Sequence, residues 1–249
     1  MNSSQFLIDG MVWSYSRLNT YTTCPREFKL RYLDALPSAD NAFAEFGTIC
    51  HEILASYYNG ILPVESMGAL FASRFEDLHF PYKKLQDSYR TTGKCIFDFY
   101  VDPFSGSSVI DVEQKTKTKI EGLRFISVMD LVLEKDGLQI VDHKSHAPFK
   151  TEAEKTAYSR QLYLYALLAK ARYDIYPTKL TFNHFLHGTQ YDIDFSMNDM
   201  NHATEWVLRT WDKLYADTEF AATPPSDFYC KHLCSARHHC EHGGANCAD

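Results

Sequence analysis

The stretch Leu123–Ser145, LRFISVMDLVLEKDGLQIVDHKS, constrains this chain more than any other. Two apolar runs flank Lys135-Asp136-Gly137, so the segment reads as a β-hairpin. Each run carries a carboxylate, Asp130 and Asp142, and Lys144 follows two residues later. Side chains alternate across a strand, so Ile140, Asp142 and Lys144 share a face. The turn decides where Asp130 points. A two-residue Asp136-Gly137 loop would set Asp130 opposite His143, on the wrong face. A three-residue loop, Lys135-Asp136-Gly137, gives glycine the left-handed position it suits. It pairs Glu134 with Leu138, Val132 with Ile140 and Asp130 with Asp142. Opposed side chains start about 5 Å apart, near enough for two carboxylates to share one cation. The plain alternative is a solvated strand end with stray charges. Two acids and a lysine converging beside apolar runs go beyond it, because like charges are costly to bury without a compensating cation. Carboxylate and water ligands suit a hard ion, Mg²⁺ or Mn²⁺.

The rest of the chain supplies a frame for such a hairpin. Ser14 to Leu33 reads as a Ser-capped helix, then Cys24-Pro25, then a second helical turn. FGTICHEILASYYNG places Ile49, Cys50, Ile53, Leu54 and Tyr57 at helical spacing. Residues 68–99 also read helical, interrupted at Pro81. VIDVEQKTKTKI alternates like a strand, AYSRQLYLYALLAKARY predicts an amphipathic helix, KLTFNHFL and YDIDF predict strands, and 197–215 predicts a helix. No internal repeat or low-complexity segment interrupts this order. The expected fold is α/β, a central mixed sheet flanked by helices. A single domain, 1–249, is expected, with a helical part (1–100), a core (105–215) and a cysteine-rich end (224–249). Its 14% aromatic content can build a real core. The start lacks the basic-then-apolar order of a signal peptide, and no apolar run approaches the roughly 20 residues of a membrane span. A soluble, cytoplasmic protein without a membrane partner is expected. The net charge of −7 argues against a broad basic face, yet a local basic groove is compatible with nucleic acid.

An acid, a short hairpin and then Asp-x-Lys resembles the motif of the PD-(D/E)XK nucleases, in the RecB-like branch. Other segments extend the likeness in the family's order. FGTICHEIL is similar to the branch's Gly-x-x-x-His helix, and RQLYLYALL to its Gln-x-x-x-Tyr motif. SYSRLNTYTTCPREFKLRY resembles its N-terminal signature, and VEQKTKTKIEG the strand before the acidic one. The chain departs from the pattern at Ser127, where the family often has glycine, and at His143, where it often has an aromatic residue. The resemblance implies a restriction-endonuclease-like core and hydrolysis of phosphodiesters in DNA. It implies His51, Asp130 and Asp142 as metal ligands, with the backbone carbonyl of His143 as a further ligand and Glu113 as an additional acid. It further implies that Lys144 orients or activates the attacking water and that Gln161 and Tyr165 flank the site. Taken singly, His51 reads as a partly buried helix histidine, Glu113 as a surface strand residue, and Gln161 with Tyr165 as helix packing.

Three of the seven cysteines, Cys230, Cys234 and Cys240, crowd one segment, with Cys247 just after. An odd, clustered count without an export signal favours metal ligation over disulfides. Iron–sulfur members of the branch, the AddB and CRISPR-adaptation exonuclease types, pair one N-terminal cysteine with three C-terminal ones around a [4Fe–4S] cluster. Cys24 stands where that first cysteine stands, so the resemblance implies Cys24, Cys230, Cys234 and Cys240 as ligands and a C-terminus closing onto the N-terminal helices. Three residues separate Cys230 from Cys234 where the family commonly has two. A Zn²⁺ site drawing on His232, His238, His239 or Cys247 stays open, as do unligated cysteines. Cys50 and Cys95 read as small apolar residues. The likeness to these types points to single-stranded DNA ends and an exonuclease, in repair, recombination or CRISPR adaptation. The chain has no Walker-type phosphate loop, so a helicase or integration complex is a candidate partner. A non-catalytic DNA-end-binding or adaptor module on the same scaffold is the alternative, and an RNA nuclease a third option.

Overall fold

The computed structural model describes residues 3–244. Helix α1 is Ser3–Gly10 and α2 is Tyr15–Thr23. Ser14 caps α2, its side chain accepting from the Arg17 N–H, which satisfies one of the free donors at a helix start. Pro25 then opens the short α3 (Pro25–Phe28), where its missing N–H costs nothing, and a π-helical turn, Lys29–Leu33, follows. Helix α4 is Ala42–Tyr58, α5 Met67–Phe75 and α6 Lys83–Asp98. Pro81 lies in the connection between α5 and α6, as its lack of an N–H requires.

The strands are β1 (Ser108–Ile120), β2 (Leu123–Glu134), β3 (Leu138–His143), β4 (Lys179–His184) and β5 (Thr189–Asp194). They form one sheet in the order β1-β2-β3-β4-β5. β2 and β3 are antiparallel, β3 and β4 parallel, and β4 and β5 antiparallel. The parallel step needs a crossover, and helix α7 (Glu152–Tyr173) supplies it. Helix α8 is Met197–Ala216. The sheet is therefore mixed and flanked by helices, as expected. Among the described residues, no helix is long and apolar enough to cross a membrane.

Two compact units divide the described chain. One comprises residues 42–117 and 127–203, the other the two ends, residues 3–41 and 204–244, together with 118–126. In the first, Phe46, Phe71, Phe75, Phe80 and Phe97 form an aromatic core with Ile53 and Leu54 of α4. Gly93 of α6 allows the close approach of α5, since a Cβ there would stand 2.2 Å from Phe71 Cζ. Leu131, Leu133 and Val141 pack with Phe104 under the sheet. In the second unit, Phe28 stacks between Trp13 and Phe220 with Tyr21 edge-on.

Three local readings change. Helix α7 is not amphipathic in its second half, because Leu162 to Ala166, Leu168 and Ala169 are all buried. Phe185 and Leu186 leave the strand ladder for a 3₁₀ turn that keeps both side chains buried. Cys95 is exposed, whereas Cys50 is a buried apolar residue as read.

Candidate active site

The hairpin fixes the first two acids. Its register pairs Leu131 with Val141, Val132 with Ile140, Leu133 with Gln139 and Glu134 with Leu138. The loop is therefore the three residues Lys135-Asp136-Gly137, and Asp130 comes next opposite Asp142. Gly137 has a φ of +115°, and Asp136 takes the left-handed position at +54°. The Lys135 N–H donates to the Gly137 carbonyl at 3.1 Å and closes the turn. The Asp130 Oδ2 accepts from the backbone N–H of His143 at 2.8 Å, which ties one acid to the strand that carries the other.

Helix α4 brings His51 to the same place, with Nδ1 3.4 Å from Asp130 Oδ2 and 4.0 Å from Glu113 Oε1. Glu113 reaches it by a local distortion. It sits in the middle of β1 with a φ of +51°, a conformation rare for a residue with a Cβ and characteristic of strained, functional positions. Donor atoms of His51, Glu113 and Asp130 all lie within 4.8 Å of one another. Asp142 is not in that group. Its Oδ2 is paired with Lys144 Nζ at 2.7 Å. The contact is a buried ion pair.

Lys144 is fixed from its other side. Its Nζ donates to Gln161 Oε1 at 2.8 Å, and Gln161 Nε2 donates to the Tyr165 hydroxyl at 2.7 Å. Gln161 and Tyr165 are one turn apart on α7, as the motif spacing requires. Burial, then the Asp142 and Asp130 carboxylates, push the Tyr165 phenol well above its ordinary value, so it stays protonated.

The charges do not balance. Three carboxylates, Glu113, Asp130 and Asp142, face one lysine and one histidine. Burial, then the Asp130 charge, raises Glu113 to about 7. Burial also raises Asp142, against the pull of Lys144. Burial opposes ionisation of Asp130 too, but His51 and the His143 N–H hold its carboxyl below the usual range. Burial would lower His51, but Asp130, Asp142 and Glu113 together lift it to about 9. Buried carboxylates crowded until two of them are pushed toward protonation, with an oxygen-and-imidazole donor set, fit a divalent cation. Ligands about 2.1 Å from an ion lie roughly 3–4 Å apart, a spacing that the His51, Glu113 and Asp130 group can meet.

His143 contributes backbone rather than imidazole. Its ring stacks on Tyr58 at 5.9 Å and 11° and meets Phe185 edge-on. Nδ1 accepts from Asn183 Nδ2 at 3.1 Å, and burial lowers the imidazole to about 4. A neutral, stacked ring takes the place of the aromatic residue common in the family. Asn183 and Tyr58 carry no signal in the sequence that marks them for this task.

The cysteines meet in the other unit. Cys24, Cys230, Cys234 and Cys240 are buried and line one cavity with Glu27, Leu30, Tyr229 and His242. Glu27 organises the segment. Its Oε2 accepts from the Tyr229 hydroxyl at 2.8 Å, and its Oε1 accepts from the Ser235 N–H at 3.1 Å and hydroxyl at 3.0 Å. Burial, then the Glu27 charge, pushes the Cys234 thiol to about 12. Among the described residues no three of the four sulfurs lie mutually within 4.8 Å. His239 Nε2 is turned to the Pro37 carbonyl at 3.2 Å, His238 is exposed, and Cys247 lies outside the described residues.

Two carboxylates and a histidine that could hold a cation thus lie near a clamped lysine that follows a strand of the mixed sheet. A model of the PD-(D/E)XK nuclease superfamily matches residues 12–241, nearly the whole length, and the chain belongs to that superfamily. Its nucleases are phosphodiesterases that use divalent metal ions. In fold the chain is similar to the crystal structure of a protein from Eubacterium rectale named "Putative exonuclease". The TM-score is 0.51, with 12% identity over 86% of each chain. No curated protein matches.

Proposed function

We propose that this chain is a divalent-metal-dependent deoxyribonuclease that acts as an exonuclease on single-stranded DNA ends. The observation that carries the reading is the clamped Lys144 beside Asp142, across a hairpin from Asp130. His51, Glu113 and Asp130 would hold Mg²⁺ or Mn²⁺, and Asp142 and the His143 carbonyl are the further ligands by resemblance. Bound there, the ion would neutralise phosphate oxygens and make a water more acidic. Lys144 presents an ammonium whose position is set by Asp142 and Gln161, so it can orient that water and counter negative charge as it develops on the phosphate. Gln161 bridges Lys144 and the protonated Tyr165, which holds the ammonium against displacement. The name of the Eubacterium rectale neighbour supports exonuclease action, and the likeness to iron–sulfur members supports single-stranded ends. A helicase or integration complex supplying such ends is the corresponding partner.

The four thiols support a [4Fe–4S] cluster of structural role. Cys24, Cys230, Cys234 and Cys240, which line one cavity, would be its ligands. A Zn²⁺ staple at the same thiols is the alternative.

A time course on end-labelled single- and double-stranded DNA tests the reading. Stepwise loss from single-stranded ends with Mn²⁺ or Mg²⁺, and none with EDTA, is expected. DNA binding without cleavage under every metal condition indicates the adaptor module instead, and cleavage confined to RNA overturns the substrate.

A further inference from the structure

Beside Lys144 lies a cluster that neither metal binding nor hydrolysis uses. Tyr158 stands on α7 one turn before Gln161, so Tyr158, Gln161 and Tyr165 share one helix face. The Lys144 ammonium is 5.7 Å from the centre of the Tyr158 ring. Phe149, from the loop that follows Lys144, lies against Tyr158 with centroids 5.1 Å apart. His146 meets Tyr158 at 5.3 Å, and Phe149 continues to Tyr191 at 6.3 Å. Lys155 sits over the Tyr191 ring at 4.0 Å.

Two features separate this cluster from ordinary core. First, Phe149, Tyr158 and Tyr191 are all partly rather than fully buried, and the Tyr158 hydroxyl makes no hydrogen bond among the described residues. Second, the cluster contains polar acceptors that packing alone would avoid. The His146 Nδ1 is on the Ala147 carbonyl and the His184 Nδ1 on the His146 carbonyl, so the protons are on Nδ1. Each Nε2 is left as a buried acceptor without a donor.

The geometry points to a base-stacking platform: Tyr158, backed by Phe149, holds the base of the nucleotide whose phosphate Lys144 engages. The inference rests on the nuclease reading and assigns the substrate contact next to its site. Rings interleaved with ammonium groups suit a single strand, which offers an unstacked π face and a phosphate at every step. A base in a duplex is already stacked on its neighbours and gains less. Tyr158 thus contributes to the choice of single strands over duplexes, without sequence preference.

The test uses oligonucleotides ending in a normal nucleotide or in an abasic one, with Mn²⁺. It compares wild type, Tyr158→Phe and Tyr158→Leu, each checked for an unchanged melting curve. Wild type and Tyr158→Phe should favour the normal end about tenfold in kcat/KM, mostly through KM. In Tyr158→Leu that preference should fall close to one. Fluorescence of a terminal 2-aminopurine, read in Ca²⁺ without turnover, should be quenched by wild type and not by Tyr158→Leu. A Tyr158→Leu enzyme that keeps both the preference and the quenching overturns the platform while leaving the nuclease intact. A wild type that cleaves no DNA removes both. If Tyr158→Leu unfolds, Phe149→Ala must lose the preference in its place, and a folded Phe149→Ala that keeps it overturns the platform.

Discussion

At the scale of single residues, the site is defined by protons as much as by charges. His51 is held near 9 by three carboxylates and Glu113 near 7 by burial beside Asp130. Neither can ligate a cation while protonated, so binding must release protons. At a pH near 8 His51 carries its proton and Glu113 does not, so Mn²⁺ should release about one proton. Near pH 6 both are protonated, and about two should leave. Affinity should therefore weaken as pH falls below about 9, and more steeply below about 7. Calorimetry in buffers of different ionisation enthalpy reads both the affinity and the proton count. An affinity that is flat across this range would remove His51 and Glu113 from the ligand set. Of these residues only Asp130, Asp142 and Lys144 declare themselves by spacing. His51 needs the Gly-x-x-x-His resemblance, because one helix histidine has no chemistry of its own. Glu113 also came only by resemblance, and the φ of +51° at that residue could not be read, since nothing about glutamate announces it in a strand. The Tyr158, Gln161, Tyr165 spacing was available as a signal, though only Gln161 and Tyr165 belong to the family motif.

Among elements, the β2–β3 hairpin decides whether the acids meet. A one-residue change of register would turn Asp130 to the other face of the sheet. Gly137 holds the register. At its φ of +115°, an added Cβ would meet Thr178 Cγ2 at 2.6 Å and Oγ1 at 2.7 Å. Gly137→Ala should cost about 1–3 kcal/mol, which lowers the melting temperature by roughly 2–12 °C in a chain of this size. Thermal unfolding followed by circular dichroism measures it, and an unchanged melting temperature contradicts the role given to the turn. The hairpin was legible because alternation, loop length and a glycine all agree on one answer. The all-round burial of α7 was less so. Its apolar residues suggest one face, and the sequence does not say that Tyr163 and Ala166 are covered as well.

For the molecule as a whole, the ends of the chain make one site. Glu27 and Tyr229, 202 residues apart, are hydrogen-bonded beside the four thiols. A cluster there closes almost the whole chain into a loop and removes freedom from the unfolded state. Its binding energy is then folding energy. Protein purified without air should be brown, with about four irons per chain. Cys234→Ser should lower yield and melting temperature first, and activity only through misfolding. Stoichiometric zinc in colourless protein would put a zinc staple in its place, and metal-free protein of equal stability would remove the staple. The hydrolytic account stands apart from that outcome, because it depends on Lys144 set between Asp142 and Gln161. The rate of Mn²⁺-supported cleavage by folded Lys144→Ala, against wild type, tests it most directly. A loss of about 10²–10³-fold is expected, with the melting curve and Mn²⁺ binding retained. A folded Lys144→Ala variant that cleaves like its parent would place the chemistry elsewhere in the chain.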